Sequence, residues 1–421
     1  MPTEAQGQDA VGSRSGRGAN AIPWRRNLWA MWAAQMLAII AFSLRVPYLP
    51  FFLGDLGVTT TEGQVLWSGI INAAGAGIMA ISAPFWGAVS DRYGRKPMLL
   101  RAQFAAVFTI GLMAFATAAW HLLALRLLEG ALAGTVTAAT ALVASTTPKE
   151  RLGFSLGMIQ TAVFSGAALG PLAGGVLAEQ IGYRPTFLVS SAMMLGAGLI
   201  TIFFVGERFT RAPRASGPGA KGSRRERWQL LLTPVLLAMT AVMFAVRLAS
   251  SAVQPIMPLF VAELTDAASN TASLAGVTLG VLGLTSAVSS LYFGRLGDRR
   301  GHRPILIGCA LAAGLLYLPM ALTQHPWQLV VLQALFGVAA GGMIPAANAI
   351  VATVTAPERR GVVYGLMAAA ASLGGFIGPL AGSALAASLG FRATFVATAL
   401  VLLALAGLLL SLGRRVDART A

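Results

Sequence analysis

Long apolar runs, separated by short polar connections, recur along the whole of this sequence. A helix needs about 20 apolar residues to cross a bilayer, so each run predicts one membrane-spanning helix. The third run is the most polar, because Arg101 and Gln103 stand near its start. The pattern predicts an all-α membrane protein with twelve spans, which cover residues 28–52, 65–89, 98–116, 119–145, 154–179, 185–206, 231–261, 273–296, 304–323, 328–354, 362–387 and 393–412.

The second half of this pattern repeats the first at an interval of 207 or 208 residues. GAVSDRYGRKP at 87–97 returns as GRLGDRRGHRP at 294–304, and LGPLAGG at 169–175 returns as IGPLAGS at 377–383. Each half contains six predicted spans, and an even number gives both halves the same orientation in the membrane. The repeat therefore predicts two pseudo-symmetric six-helix bundles related by an axis along the membrane normal.

The repeat also divides the chain into regions. We expect a disordered cytoplasmic tail at 1–26, rich in Gly, Ser, Gln and Arg and without the apolar core of a signal peptide. The two bundles occupy 27–206 and 230–413, and the basic segment at 207–229 connects them as a cytoplasmic linker. A short cytoplasmic tail at 414–421 completes the chain.

Composition supports the membrane prediction and explains the charge. The chain is 56% hydrophobic and 11% charged, against about 25% charged in soluble domains. With the N-terminus in the cytoplasm, 26 of the 31 Lys and Arg residues fall on the cytoplasmic side. The net charge of +16 is thus a topology signal. It predicts a multi-pass protein of the inner membrane with both termini cytoplasmic, in contact with the bilayer and not with nucleic acid.

The residues that usually carry catalysis or metal binding are sparse. Cys309 is the single cysteine, and His121, His302 and His325 fall in loops or at span ends. The sequence contains no phosphate-binding P-loop, no H-E-x-x-H and no G-x-S-x-G. We therefore expect that the protein is not an enzyme and binds no cofactor or metal. Without a nucleotide site, its energy source is expected to be an ion gradient, and we expect it to act as a monomer.

Two motifs resemble those of the major facilitator superfamily, and in particular its twelve-span drug:proton antiporters. GAALGPLAGG at 166–175 resembles their fifth-span motif, and the resemblance extends over residues 24–413. It implies a proton-coupled antiporter that exports drugs or small organic compounds by alternating access. An alternative is a proton-coupled carrier of small organic anions, by import or exchange. The loop after the second span resembles the superfamily signature at Gly87, Asp91, Arg92, Gly94, Arg95 and Lys96.

We interpret this signature loop as a latch between the bundles. Gly87 allows close approach to a neighbouring helix, and Gly94 allows a tight turn. Asp91 is placed to face a helix N-terminus, where a carboxylate gains roughly 0.3–2 kcal/mol, with charge-assisted bonds from Arg92 or Arg95. Asp298 stands at the same position in the second copy. The alternative is a loop that only anchors the chain on its positive side.

The fifth-span motif has two interpretations that do not exclude each other. Gly166, Gly170 and Gly174 form one helical stripe of the kind that lets membrane helices pack closely, and Pro171 can kink the helix. The resemblance implies that the same stripe also seals the cavity against proton leak.

One acidic residue lies deep in a predicted span. Glu129 stands about ten residues into the fourth span, roughly 15 Å along the helix axis, with Arg126 on the same helical face. Ionisable groups in a membrane are costly and mark functional sites. We therefore predict that Glu129 binds and releases the coupling proton beside Arg126. A fixed Glu–Arg pair that never titrates is the alternative.

Arginines in the first span of each half favour an anionic or zwitterionic substrate. Arg45 and Arg247 make the predicted cavity net positive and can form charge-assisted bonds. They are not at equivalent repeat positions, and Arg45 alternatively extends toward the outer surface. The uncharged candidates for lining the cavity are Asn72, Gln160, Gln254 and Asn348.

Overall fold

The computed structural model describes residues 24–148, 151–207, 234–265, 270–355 and 360–420, without the side chains of 91, 234, 360–362 and 412–420. These residues form fifteen helices and no strand, which confirms the all-α prediction. Eight helices form the first half: α1 Trp24–Ser43, α2 Leu49–Asp55, α3 Thr61–Tyr93, α4 Arg95–Met113, α5 Ala119–Ala131, α6 Thr135–Thr146, α7 Leu152–Ile181 and α8 Tyr183–Phe204. Seven form the second: α9 Pro234–Val253, α10 Met257–Glu263, α11 Thr271–Arg300, α12 His302–Met320, α13 Pro326–Val354, α14 Arg360–Leu389 and α15 Phe391–Thr420.

Most of these helices match the predicted spans. Ten described segments, with α5 and α6 counted as one, are long and apolar enough to cross a membrane. The other two predicted spans correspond to α1, with 20 residues, and α4, with 19 residues. Both are long enough, at 1.5 Å per residue, to span about 30 Å. They are more polar because α1 begins with two arginines and α4 contains Arg101 and Gln103.

The helices extend past two of the expected region boundaries. The first helix begins at Trp24, inside the expected tail 1–26, where Arg25 lies over the Trp24 ring. The last helix continues through Thr420, past the expected end of the second bundle at 413. Residues 1–23 and 208–233, with most of the expected linker, lie outside the described residues.

Three predicted spans are interrupted rather than continuous. The first and seventh spans break between α1 and α2 and between α9 and α10. Pro47 and Pro255 lie in these breaks, where each removes a backbone donor. The fourth span breaks between α5 and α6, and Gly134 there has a φ of +134° that favours glycine.

Close helix packing follows the repeat. In the first half, α7 lies against α1: a Cβ on Gly170 would come within 3.0 Å of the Ile40 carbonyl oxygen. In the second half, α14 lies against α9 in the same way, and a Cβ on Gly378 would come within 2.7 Å of the Leu248 carbonyl oxygen. Both members of the second pair stand 208 positions after those of the first. The glycine stripe of α7 therefore serves close packing within its own half, and its sealing role stays a prediction.

The two halves touch at one end of the molecule, which we call the closed end. There a Cβ on Gly283 of α11 would lie 2.9 Å from the Cα of Ala168 in α7. On the other side, a Cβ on Gly69 of α3 would lie 2.6 Å from the carbonyl oxygen of Pro379 in α14. Glu179 of α7 also accepts hydrogen bonds from Ser273 of α11.

At the opposite end, the open end, the same helices are apart. A Cβ added to any of four glycines there would meet no atom within 4 Å: Gly87, Gly157, Gly294 and Gly365. The expected close approach of a neighbour at Gly87 is therefore absent in this conformation. The paired helices are thus in contact at the closed end and separated at the open end.

Candidate functional site

A buried cluster of three charges lies inside the first half. Arg45 donates two hydrogen bonds to the Glu129 carboxylate, from Nη1 to Oε2 at 2.8 Å and from Nη2 to Oε1 at 2.7 Å. Arg126 adds a third, from Nη1 to Oε1 at 2.6 Å. The Glu129 side chain is 6% exposed. Because two cations face one anion, this Glu129 cluster has a net charge of +1 while Glu129 is ionised.

Two glycines bring the cluster's helices together. A Cβ on Gly130 of α5 would lie 2.5 Å from the carbonyl oxygen of Gly75 in α3, so position 130 leaves no room for a side chain. A Cβ on Gly75 would lie 3.2 Å from Cζ of Arg126. The guanidinium of Arg126 therefore lies directly against the α3 backbone, which holds it beside Glu129.

Arg45 reaches the cluster from the break between α1 and α2. It stands 84 residues before Glu129 in sequence, and its side chain is 6% exposed. The alternative in which Arg45 extends toward the outer surface does not match this position. Two of the five N–H donors of its guanidinium bind Glu129, and its role in substrate binding stays a prediction. Sequence reasoning placed Arg126 with Glu129 but did not pair Arg45 with either.

The cluster has no counterpart in the second half. Gln333 and Phe336 stand 207 positions after Arg126 and Glu129. Gln333 is buried, and its described side-chain hydrogen bonds go only to the sulfur atoms of Met257 and Met320. The two bundles are therefore similar in fold and different in charge.

The second half contributes Arg247, on α9. Its side chain is exposed and lies against α14, where a Cβ on Gly375 would be 3.7 Å from its Nε. No described residue forms an ion pair or hydrogen bond with it. A guanidinium that is accessible and unpaired within a helix bundle can bind an anion.

The four uncharged candidates are not gathered around these charges. Asn72 donates to the carbonyl oxygen of Ser68 in its own helix, at 2.9 Å. Gln160 and Gln254 are exposed and Asn348 is half-buried. No hydrogen bond between described residues joins any of the four to Arg247 or to the Glu129 cluster.

The signature loop turns at Gly94, whose φ is +98° as the tight-turn prediction requires. The N-terminus of α4 then receives a carboxylate from Glu207, which accepts from the backbone N–H groups of Arg95 at 2.8 Å and Lys96 at 2.8 Å. Arg95 also donates from Nη1 to the carbonyl oxygen of Ala141 at 2.6 Å. The carboxylate at this helix N-terminus is thus Glu207, which sequence reasoning did not single out, and the side chain of Asp91 lies outside the described residues.

Two other members of the predicted latch, Arg92 and Asp298, have described contacts only within their own half. Arg92 is exposed and lies over the ring of Tyr93, 5.4 Å from its centroid. Asp298 is exposed, and its Oδ1 atom lies 3.4 Å from Nε2 of His302, four residues later in the chain. The two halves are separated at the open end, so these two latch residues do not bind across the halves in this conformation.

The family profile of the Major Facilitator Superfamily matches residues 31–264 and 239–420. The chain belongs to this superfamily. The membership confirms the resemblance carried by the loop at 87–97 and agrees with the duplicated halves.

Two curated relatives match almost the whole chain. The Multidrug resistance protein MdtG of Citrobacter koseri is 38% identical, over 91% of this chain and 93% of its own length. The Multidrug resistance protein MdtG of Serratia proteamaculans is 37% identical, over 91% of this chain and 92% of its own.

Solved structures share the fold. A bacterial homolog of the human lysosomal transporter Spinster, in an inward-facing and unoccupied conformation, superposes with a TM-score of 0.77 at 16% identity, over 93% of this chain and 97% of that one. The human organic anion transporter MFSD10 (TETRAN) gives a TM-score of 0.69 at 22% identity, over 92% of this chain and 99% of that one.

Proposed function

We propose that this protein is a proton-coupled antiporter that exports drugs or related small organic molecules. Membership of the Major Facilitator Superfamily and relatives named for multidrug resistance support transport of this kind. Two similar bundles that meet at one end support alternating access, in which one half rocks against the other around a central site. No catalytic site is part of the proposal, and the chain is proposed to act as a monomer.

The observation that carries the proton coupling is the bonding of Glu129. Buried charges are tolerated when they are paired, and an ionised Glu129 balances two guanidinium groups in one place. A proton on Glu129 removes the anion and leaves Arg45 and Arg126 facing each other. Arg45 stands in the break between α1 and α2, so its release alters the contacts at the point where the first span is interrupted. Protonation is thereby linked to a change of conformation.

The direction of access follows from the charge of the loops. The open end bears the signature loop at 87–97 and its repeat at 294–304, both rich in basic residues. The positive-inside rule assigns that end, and both termini, to the cytoplasm. The protein is then inward-facing in the inner membrane, and a substrate enters its cavity from the cytoplasm.

A second candidate function is a proton-coupled carrier of small organic anions. The accessible, unpaired guanidinium of Arg247 favours it, because such a group binds a carboxylate or sulfonate with charge-assisted bonds. The two candidates share the Glu129 step and differ in the charge of the substrate.

The test is transport in proteoliposomes with an imposed pH gradient, using matched sets of cationic and anionic drugs. We expect Glu129→Gln to abolish proton-driven exchange and to leave exchange of substrate for substrate intact. Glu62→Gln, at an exposed acid in the first turn of α3, is the control. Proton-driven exchange by Glu129→Gln would contradict the coupling role and support the fixed pair. Transport of cations alone would reject the anion carrier.

A further inference from the structure

Gly130 accepts a hydrogen bond from the backbone N–H of Ala133 at 3.2 Å, but the break that follows Glu129 leaves the carbonyl groups of Ala131 and Ala133 without a described backbone partner. Such groups are costly in a bilayer unless other parts of the protein bind them. Three side chains from α3 and α4 bind carbonyl groups of this segment. Ser82 donates to Gly130 at 3.2 Å, Nε1 of Trp86 donates to Ala131 at 2.6 Å, and Nη2 of Arg101 donates to Ala133 at 3.2 Å.

Arg101 and Trp86 also bind each other. The guanidinium carbon of Arg101 lies 3.3 Å from the centroid of the Trp86 ring, a close cation–π contact. This Arg101–Trp86 pair therefore holds the backbone that follows Glu129 at two carbonyl groups. One belongs to Ala131, the last residue of α5, and the other to Ala133 in the break. Trp86 stands next to Gly87, at the start of the signature loop, so one side chain joins that loop to the helix of Glu129.

The second half serves as an internal comparison. Phe293 and Gly308 stand 207 positions after Trp86 and Arg101, and Phe336 stands at the position of Glu129. There the corresponding helix, α13, runs without a break from Pro326 to Val354. Ser289, the counterpart of Ser82, keeps its bond to a carbonyl oxygen of that helix. The serine contact is thus common to both halves.

In the second half, the counterparts of the pair do not bridge two helices in this way. An apolar cleft of about 440 Å³ lies there, lined by residues that include Phe293, Gly308 and Val338. These are the counterparts of Trp86, Arg101 and Ala131. The acid, the break, the arginine and the tryptophan occur together in the first half, and none of the four is found at the corresponding position of the second.

We propose that Arg101 and Trp86 are positioning residues for the proton step: they hold the interrupted fourth span so that Glu129 stays between Arg45 and Arg126. Neither residue touches the carboxylate, and both act through the backbone of residues 131–133. The proposal rests on the proposed role of Glu129.

The experiment uses Arg101→Ala, Arg101→Lys and Trp86→Phe in the full-length protein. Trp86→Phe reproduces the residue that the second half has at this place. The control is Arg184→Ala, because Arg184 likewise donates to two carbonyl groups, of Ala114 and Ala116 beyond the end of α4, at 2.8 and 2.9 Å. A purely structural role would make all these variants lose stability alike.

The first measurement is amide hydrogen exchange at residues 130–136 in nanodiscs. We expect at least about tenfold faster exchange there in Arg101→Ala and Trp86→Phe, and wild-type exchange at these residues in Arg184→Ala. Unchanged exchange in both pair variants would overturn the anchoring. This measurement does not depend on proton transport, so it stays decisive if Glu129 proves not to bind the coupling proton.

The second measurement is the pH profile of drug transport. We expect the pH midpoint to move by at least about half a unit in Arg101→Ala and Trp86→Phe, to return in part in Arg101→Lys, and to stay in place in Arg184→Ala. Faster exchange with an unmoved midpoint, in a protein where Glu129→Gln abolishes coupling, would overturn the positioning role. Coupling that persists in Glu129→Gln would instead contradict the coupling role proposed for Glu129.

Discussion

Glu179 of α7 binds Ser273 of α11 at the closed end, accepting a hydrogen bond from its backbone N–H at 2.9 Å and another from its hydroxyl. One residue belongs to each half of the protein. Ser273 lies in the first turn of α11, where the helix dipole favours a carboxylate. This contact must break when the closed end opens.

We expect Glu179→Gln to favour the conformation in which the closed end is open. Loss of a charged contact at a helix N-terminus weakens closure by roughly 0.5–2 kcal/mol, about a two- to thirtyfold shift in population. Spin-label distances between α7 and α11 at this end measure the shift. Glu263→Gln is the control, because Glu263 is an exposed acid for which no hydrogen bond is described. Identical distance distributions for both variants and wild type would contradict the role of Glu179.

Glycine pairs at the open end should meet when that end closes. Along α3 and α14, which run antiparallel, Gly69 meets Ser383 and Gly77 meets Phe376. The same register continued toward the open end places Gly87 opposite Gly365. We expect Gly87→Cys with Gly365→Cys to cross-link only when the open end closes, in a background where Cys309, the single native cysteine, is replaced.

The matched control for cross-linking pairs Gly87→Cys with Gly294→Cys. Gly294 belongs to α11, which packs on α7 rather than on α3, so this pair should stay unlinked in every condition. Cross-linking at positions 87 and 365 that is equally fast with and without a proton gradient would show that closure at this end is independent of the gradient.

Alanine should have different effects at the two glycines where α3 and α5 meet, Gly75 and Gly130. Gly75→Ala places a methyl group 3.2 Å from Cζ of Arg126, so the guanidinium must move by a few tenths of an ångström. We expect a folded protein with reduced proton-driven exchange. Gly130→Ala meets a backbone oxygen at 2.5 Å, which cannot move as easily, and should lower stability by about 1–3 kcal/mol. Thermal unfolding and proteoliposome exchange, measured together, separate the two.

Because Arg45 and Glu129 are paired, we expect the stability losses of their single variants not to add in the double variant. Glu129→Gln leaves the guanidinium groups of Arg45 and Arg126 facing each other without an anion, and leaving buried charge uncompensated costs about 3–5 kcal/mol. Arg45→Gln alone leaves Glu129 paired with Arg126 and should cost less. Arg45→Gln combined with Glu129→Gln removes the repulsion between the two guanidinium groups and should recover part of the loss seen in Glu129→Gln. Arg247→Gln is the control, because Arg247 has no described partner and its loss should leave the unfolding temperature unchanged. Additive losses in the double variant would contradict the pairing.

Much of the fold was predictable because it depends on local pattern. Apolar runs gave the spans, the repeat gave the two halves, and Gly94 marked a tight turn. The break after Ala131 was not predicted, since LAGT at 132–135 sits in an apolar run whose repeat counterpart continues as one helix. Arg101 and Trp86 have no equivalent in the second half. This difference between the halves is the signal that would have indicated the break.

The candidate site was predictable only in part. Arg126 and Glu129 share a helical face, so a spacing of three residues pairs them. Arg45 lies 84 residues from Glu129, and no periodicity connects positions that meet only after two helices pack. Glu207 was missed for the same reason, because it reaches the start of α4 from the end of another span.

A single proposed proton carrier limits what the gradient can drive. Of the described acidic residues, only Glu129 is buried, and its counterpart is Phe336. One proton that crosses a potential of 100 mV releases about 2.3 kcal/mol. For an uncharged drug, that free energy sustains a concentration ratio of roughly fiftyfold. Steeper accumulation would require a second proton carrier, or a drug whose own charge moves with the potential.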